Sequence, residues 1–128
     1  MARVLVVEDD ELLRRMYKRL LEEHGHTVFC AWTATGAISQ IDLLHPDFVI
    51  LDLELGRGHV LGGRQVAEHM PEGFPFAVVT GHLLEDVQPQ LTRNVFASAI
   101  WFTKSEKDFE HLLAAIDGMP RKRESDPP

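Results

Sequence analysis

Five short apolar runs, four of them stopped by a polar residue and each separated from the next by helical periodicity, constrain this chain more than any other feature. Arg3-Val4-Leu5-Val6-Val7 halts at Glu8-Asp9-Asp10, and Thr27 to Ala31, Phe48 to Leu51, Phe76 to Val79 and Ala99 to Phe102 repeat the pattern. Continuous apolar runs of this length suit strands buried on both faces. Between the first two, Leu12, Leu13, Met16, Leu20 and Leu21 recur at helical spacing, with Arg14, Arg15, Lys18, Arg19 and Glu22 on the other side. Asp9 or Asp10 can cap that helix, and Gly25 can end it.

The alternation continues along the chain. Ala34 to Leu44 reads as a second helix, and His45-Pro46-Asp47 as the break after it. A glycine-rich loop, Gly56 to Gly63, precedes a short helix around Gln65 to Met70. A fourth helix is expected from Leu84 to about Arg93, bent or shortened by Pro89, which lacks a backbone donor. Ser105 can cap the last, which runs through Phe109, Leu112, Leu113 and Ile116 until Pro120. Five strands alternating with five helices predict an α/β fold: a parallel sheet covered on both faces and wound by right-handed crossovers.

Composition narrows the function. At 128 residues, with 13 Lys+Arg against 20 Asp+Glu and a net charge of -7, the chain has the size of one domain and the wrong sign for a phosphate-backbone footprint, so no nucleic-acid partner is expected. Its single cysteine, Cys30, excludes a disulfide framework and reads as a small core hydrophobe. No apolar run approaches the roughly 20 residues of a membrane span, and no signal-peptide pattern is present, so a cytoplasmic setting without membrane contact is the expectation. The seven histidines share no ligand spacing and read as surface or turn residues. One domain over residues 1–119 is expected, with 120–128 a disordered polar tail.

In an open parallel sheet, ligands bind beyond the carboxyl ends of the strands. Those ends carry Glu8-Asp9-Asp10, Asp52, Thr80 and Thr103-Lys104. Carboxylates gathered in one crevice repel one another, and a hard cation such as Mg2+ relieves the repulsion. A nearby ammonium and hydroxyl add donors for the oxygens of a phosphoryl group, and one carboxylate could then attack phosphorus.

Val6-Val7-Glu8-Asp9-Asp10, Ile50-Leu51-Asp52-Leu53, Val78-Val79-Thr80-Gly81 and Phe102-Thr103-Lys104 resemble the signature positions of receiver domains of two-component response regulators, over about residues 3–118. The resemblance implies a flavodoxin-like (βα)5 doubly wound sheet of strand order 2-1-3-4-5. It implies a phosphorelay function, signalling rather than enzymatic, in which Asp52 accepts a phosphoryl group from a sensor histidine kinase with Mg2+ as cofactor. On that resemblance Asp9 ligates the cation directly, Glu8 through water, and Glu54 by its backbone carbonyl, with Asp52 completing the set. Thr80 and Lys104 bond phosphoryl oxygens, Trp101 holds the aromatic switch position, and Glu54 and His82 tune hydrolysis of the acyl phosphate. The expected output, from a stand-alone receiver, is contact with a downstream protein, a histidine phosphotransfer protein or a second copy of the chain.

The chain departs from the family pattern at three places. Ser105 follows Lys104 where proline in a cis peptide is usual, and a cis bond to a non-proline residue costs about 3 to 4 kcal/mol, so a trans peptide and a shifted loop are expected. Gly56 replaces a proline after Asp52, and the downstream glycine is delayed to Gly62. Pro89 interrupts one side of the face that receivers use for signalling. Two other readings exist. A degenerate receiver that binds partners without phosphorylation is favoured only by Ser105. A haloacid-dehalogenase-like phosphatase needs a second Asp two residues after its nucleophile, where this chain has Glu54.

Overall fold

The computed structural model describes residues 2–52, 61–71, 74–80, 99–103 and 106–118. The elements follow in the order β1 (Arg3–Val7), α1 (Glu11–Glu23), β2 (Thr27–Ala31), α2 (Ala34–Leu44), β3 (Phe48–Asp52), α3 (Leu61–His69), β4 (Phe76–Thr80), β5 (Ala99–Thr103) and a C-terminal helix, α4 (Glu106–Asp117). All strand pairs are parallel, and the sheet order is β2-β1-β3-β4-β5. This is the doubly wound order expected. The helix expected at 84–93, the glycine-rich loop over 56–60 and the tail lie outside the described residues. No helix among the described residues is long and apolar enough to cross a membrane.

Strand alternation explains how continuous apolar runs serve two cores. Leu5, Val7, Val49, Leu51, Phe76 and Val78 point to one face, where Ala37 and Ile41 of α2, Val66 and Ala67 of α3, and Met70 just past the end of α3 cover them. Val4, Val6, Phe48, Ile50, Ala77, Val79 and Phe102 point to the other, under Tyr17 and Leu21 of α1 and Leu112 and Ile116 of α4. Cys30 is half-buried against this second core, and burial raises its thiol pKa, so it packs as a hydrophobe.

Three expectations are corrected. The buried stripe of α1 is centred on Tyr17 and Leu21, flanked by Leu13, while Leu12 and Met16 are exposed. The stripe Leu13, Tyr17, Leu20, Leu21 satisfies helical spacing equally well, and only packing chooses between them. Helix α3 begins at Leu61, four residues before Gln65: Gly62 and Gly63, poor helix formers on their own, lie in its first turn, where Gly63 is buried. His26 is buried, not a surface residue.

That histidine holds the amino end of the sheet. Helix α1 closes in a Schellman motif: Gly25, at φ +86°, donates to the Glu22 carbonyl at 2.9 Å and His26 to that of Leu21 at 3.0 Å. The motif turns His24 and His26 toward the last turn of α4. There Asp117 takes His24 Nδ1 on Oδ2 at 2.8 Å and His26 Nε2 on Oδ1 at 2.6 Å. The Ala2 amide donates to His26 Nδ1 at 2.9 Å, which fixes the neutral tautomer with its proton on Nε2, directed at the carboxylate.

Candidate functional site

At the opposite end of the sheet, register brings the acidic residues together. Val7 of β1 pairs with Leu51 of β3, so the next residues, Glu8 and Asp52, continue side by side. Both continue the face of Val6 and Ile50, under α1. Glu8, Asp9 and Asp52 each offer a carboxylate oxygen, and these oxygens all lie within 4.8 Å of one another. Glu8 and Asp52 are buried, at 1% and 2% exposure, whereas Asp9 is exposed. Two carboxylates this close repel by on the order of 3 kcal/mol at an effective dielectric near 20.

Local bonds fix the cluster. The Glu8 amide donates to the Ala31 carbonyl at 3.0 Å, and Glu8 Oε1 accepts the Asp10 amide at 3.1 Å. Asp10 turns its own carboxylate to α1, accepting the Leu12 and Leu13 amides at 2.9 and 3.2 Å. It is therefore the N-cap, and Asp9 is the residue left to the cluster. Asp52 is held by other interactions, but its buried Oδ2 accepts no hydrogen bond.

Two contributors escaped the sequence reading. Burial pushes the Tyr17 hydroxyl well above its usual pKa, and the charges of Glu8 and then Asp52 add to the rise, so the hydroxyl stays protonated beneath the cluster. Its ring meets Phe109 of α4 at a centroid distance of 5.0 Å. Arg14, assigned above to the outer side of α1, donates from Nη1 to the Glu8 carbonyl at 3.1 Å. A stripe started from Leu13 would have drawn Tyr17 inward; Arg14 carries no comparable signal.

Thr80 closes β4 opposite Thr103 of β5, at the carboxyl edge where Asp52 closes β3. Trp101 is half-buried against the core on the α2 and α3 face, across the sheet from Asp52. Glu54, His82, Lys104 and the Lys104-Ser105 peptide lie outside the described residues.

Among the described residues the donor set suits a hard divalent cation: three carboxylates, two of them buried at one sheet edge, with no thiol or imidazole beside them. A five-stranded 2-1-3-4-5 sheet with such a cluster at its carboxyl edge defines the flavodoxin-like class that binds ligands at this edge. The model of the response regulator receiver domain family matches residues 4–116, and the chain belongs to that family, the signalling domains of two-component systems. Response regulator MprA of Mycobacterium ulcerans is 28% identical over 123 residues, 94% of this chain and 50% of that protein. The KDP operon transcriptional regulatory protein KdpE of Escherichia coli is 40% identical over 58 residues, 45% of this chain and 26% of that protein. The chain thus spans half or less of the length of these curated relatives. Among solved structures, the non-phosphorylated HemR receiver domain of Leptospira biflexa is 27% identical with a TM-score of 0.72, over 96% of this chain and 99% of that one. The response regulator TrrA of Thermotoga maritima, solved in complex with Mg2+-BeF, shares the fold at 23% identity and a TM-score of 0.72, over 91% of this chain and 96% of that one.

Proposed function

We propose that this receiver accepts a phosphoryl group on Asp52 and passes the resulting change to a partner protein. The observation that carries the reading is the meeting of the Glu8, Asp9 and Asp52 carboxylates within 4.8 Å at the carboxyl edge of the sheet. Glu8, Asp9 and Asp52, with the Glu54 carbonyl, are the residues that would hold Mg2+. The cation, when bound, supplies neutralising charge to the phosphoryl oxygens and to the carboxylates around them.

In this reading an oxygen of Asp52 attacks the phosphorus of a kinase phosphohistidine. A P–O bond forms, the P–N bond breaks, and the imidazole leaves with the electron pair and takes a proton. The product is an acyl phosphate on Asp52. Buried and flanked by two carboxylates, Asp52 is supported mainly by positioning and electrostatics, which dominate phosphoryl transfer. The resemblance gives Thr80 and Lys104 the phosphoryl oxygens and Trp101 the switch position, and leaves Glu54 and His82 to set the lifetime of the acyl phosphate. The reading takes residues 1–119 as the receiver, with a sensor histidine kinase upstream and a histidine phosphotransfer protein, a downstream target or a second copy as recipient.

Mass spectrometry after treatment with acetyl phosphate and Mg2+ tests the reading. One acid-labile phosphate is expected on the wild type and none on Asp52→Asn. Incorporation that persists in the variant, or none in the wild type, would overturn it, and the second result would favour a receiver that works without phosphorylation.

A further inference from the structure

Three of the bonds that grip Glu8 are its amide to the Ala31 carbonyl, its side chain to the Asp10 amide, and its carbonyl to Arg14 Nη1. The third grip has its own support. The Arg14 guanidinium carbon lies 5.1 Å from the centroid of the Trp32 ring, and Trp32, 59% exposed, directly follows Ala31 on the chain. The residue that holds the Glu8 amide and the residue that holds the arginine on the Glu8 carbonyl are thus neighbours at the end of β2. A guanidinium suits this place because it can stack flat on an indole while donating along its plane, which an ammonium cannot do.

We propose that Arg14 and Trp32 form a brace that positions the Glu8 peptide for the cation site, so that an exposed indole outside the acidic cluster sets how tightly that site takes a divalent cation. The proposal rests on the reading of Glu8, Asp9 and Asp52 as a Mg2+ site. Mg2+ demands near-octahedral geometry of its ligands and bound waters, so tilt of the Glu8 peptide costs affinity through the water that Glu8 holds and through Asp9, the next residue. Groups that orient metal ligands commonly matter nearly as much as the ligands themselves. Arg14 and Trp32 are positioning residues here: neither belongs to the set of carboxylates.

The test keeps the charge constant, because deleting a cation beside the site would by itself favour Mg2+ and hide the loss of positioning. MgCl2 is titrated calorimetrically into the wild type, Asp52→Asn, Trp32→Leu, Trp32→Phe and Arg14→Lys. Trp32→Leu and Arg14→Lys are expected to raise the Mg2+ Kd about two- to fivefold, the worth of an exposed cation–π contact. Trp32→Phe, which keeps an aromatic face, stays within about twofold of the wild type on the same scale. In a Trp101→Phe background, where Trp32 is the remaining tryptophan, emission should respond to Mg2+, and adding Arg14→Lys should abolish the response. An unchanged Kd in Trp32→Leu and Arg14→Lys, whether or not their melting temperatures fall, would overturn the brace while leaving the cation site intact. Absence of Mg2+ binding by the wild type, or equal binding by Asp52→Asn, would overturn the site reading and the brace with it.

Discussion

The two ends of this sheet handle charge in opposite ways. At the amino end, Asp117 is shared between His24 and His26, and the buried His26 uses both ring nitrogens, one on Asp117 and one on the Ala2 amide. At the carboxyl end, Glu8 and Asp52 are as deeply buried, yet with Asp9 they place three like-charged groups within 4.8 Å, and the buried Asp52 Oδ2 accepts no hydrogen bond. One end satisfies its polar atoms and closes the fold. The other gathers like charges into a group that could hold a cation, and clustered acidic groups of this kind are where ligand sites are sought.

Variants at each end can break this contrast. The largest effect is expected from His26→Ala, which leaves the Ala2 amide without its acceptor, removes a donor from Asp117 and opens a cavity. Denaturant unfolding should show a loss of about 2 to 3 kcal/mol, with the Mg2+ Kd unchanged. A loss too small to measure would show that the amino end is held by something else. Next comes the cation itself: Mg2+ at tenfold excess over its Kd should stabilise the wild type by about 1.4 kcal/mol. Glu8→Gln should lose most of that gain, whereas His26→Ala should keep it.

Asp52→Asn sharpens the contrast from the other side. Without Mg2+ it should be more stable than the wild type, by on the order of 1 kcal/mol, because a buried like-charge contact is gone. A destabilised variant would mean that the repulsion is already compensated inside the chain. Asp10→Ala should cost about 1 kcal/mol through the lost N-cap while leaving the Mg2+ Kd within about twofold of the wild type. A large change in Kd would move Asp10 from the fold to the site.

The smallest effect concerns acid. The hydrogen bond from His26, and after it the hydrogen bond and charge of His24, hold the Asp117 carboxyl below its ordinary value of 3.8. A depressed carboxyl pKa contributes stability that is fully present above the unfolded value and is lost as pH falls through the folded one. The difference in unfolding free energy between wild type and Asp117→Asn should therefore be constant above about pH 4 and shrink below it. Solvent screening limits it to a few tenths of a kcal/mol. A difference that grew on acidification would invert the assigned sign.

The sequence carried the sheet almost whole because burial on both faces writes itself as an unbroken apolar run. β1, β2 and α2 match their expected spans residue for residue. The strand ends likewise marked Glu8, Asp9 and Asp52, since ligand edges of parallel sheets fall where apolar runs stop. Helix faces were less legible: Leu12 and Tyr17 fit two overlapping stripes of one amphipathic helix, and the pattern does not say which is pressed against Phe109. His26 was missed because a lone histidine in a turn carries no periodicity, and Arg14 because a surface-type residue reads alike whether it faces water or a backbone carbonyl.

What the sequence determined by itself is therefore the order of elements, the two-sided burial and the identity of the acidic residues, all consequences of local periodicity and of where it ends. Only the tertiary structure decided that Asp10 is the residue that caps α1, that His24 and His26 meet Asp117 across 93 and 91 positions of chain, and that Arg14 rests on Trp32 while holding Glu8. Those choices depend on distances between segments far apart in sequence, fixed only when parallel pairing and helix packing bring their ends to the same edge of the sheet.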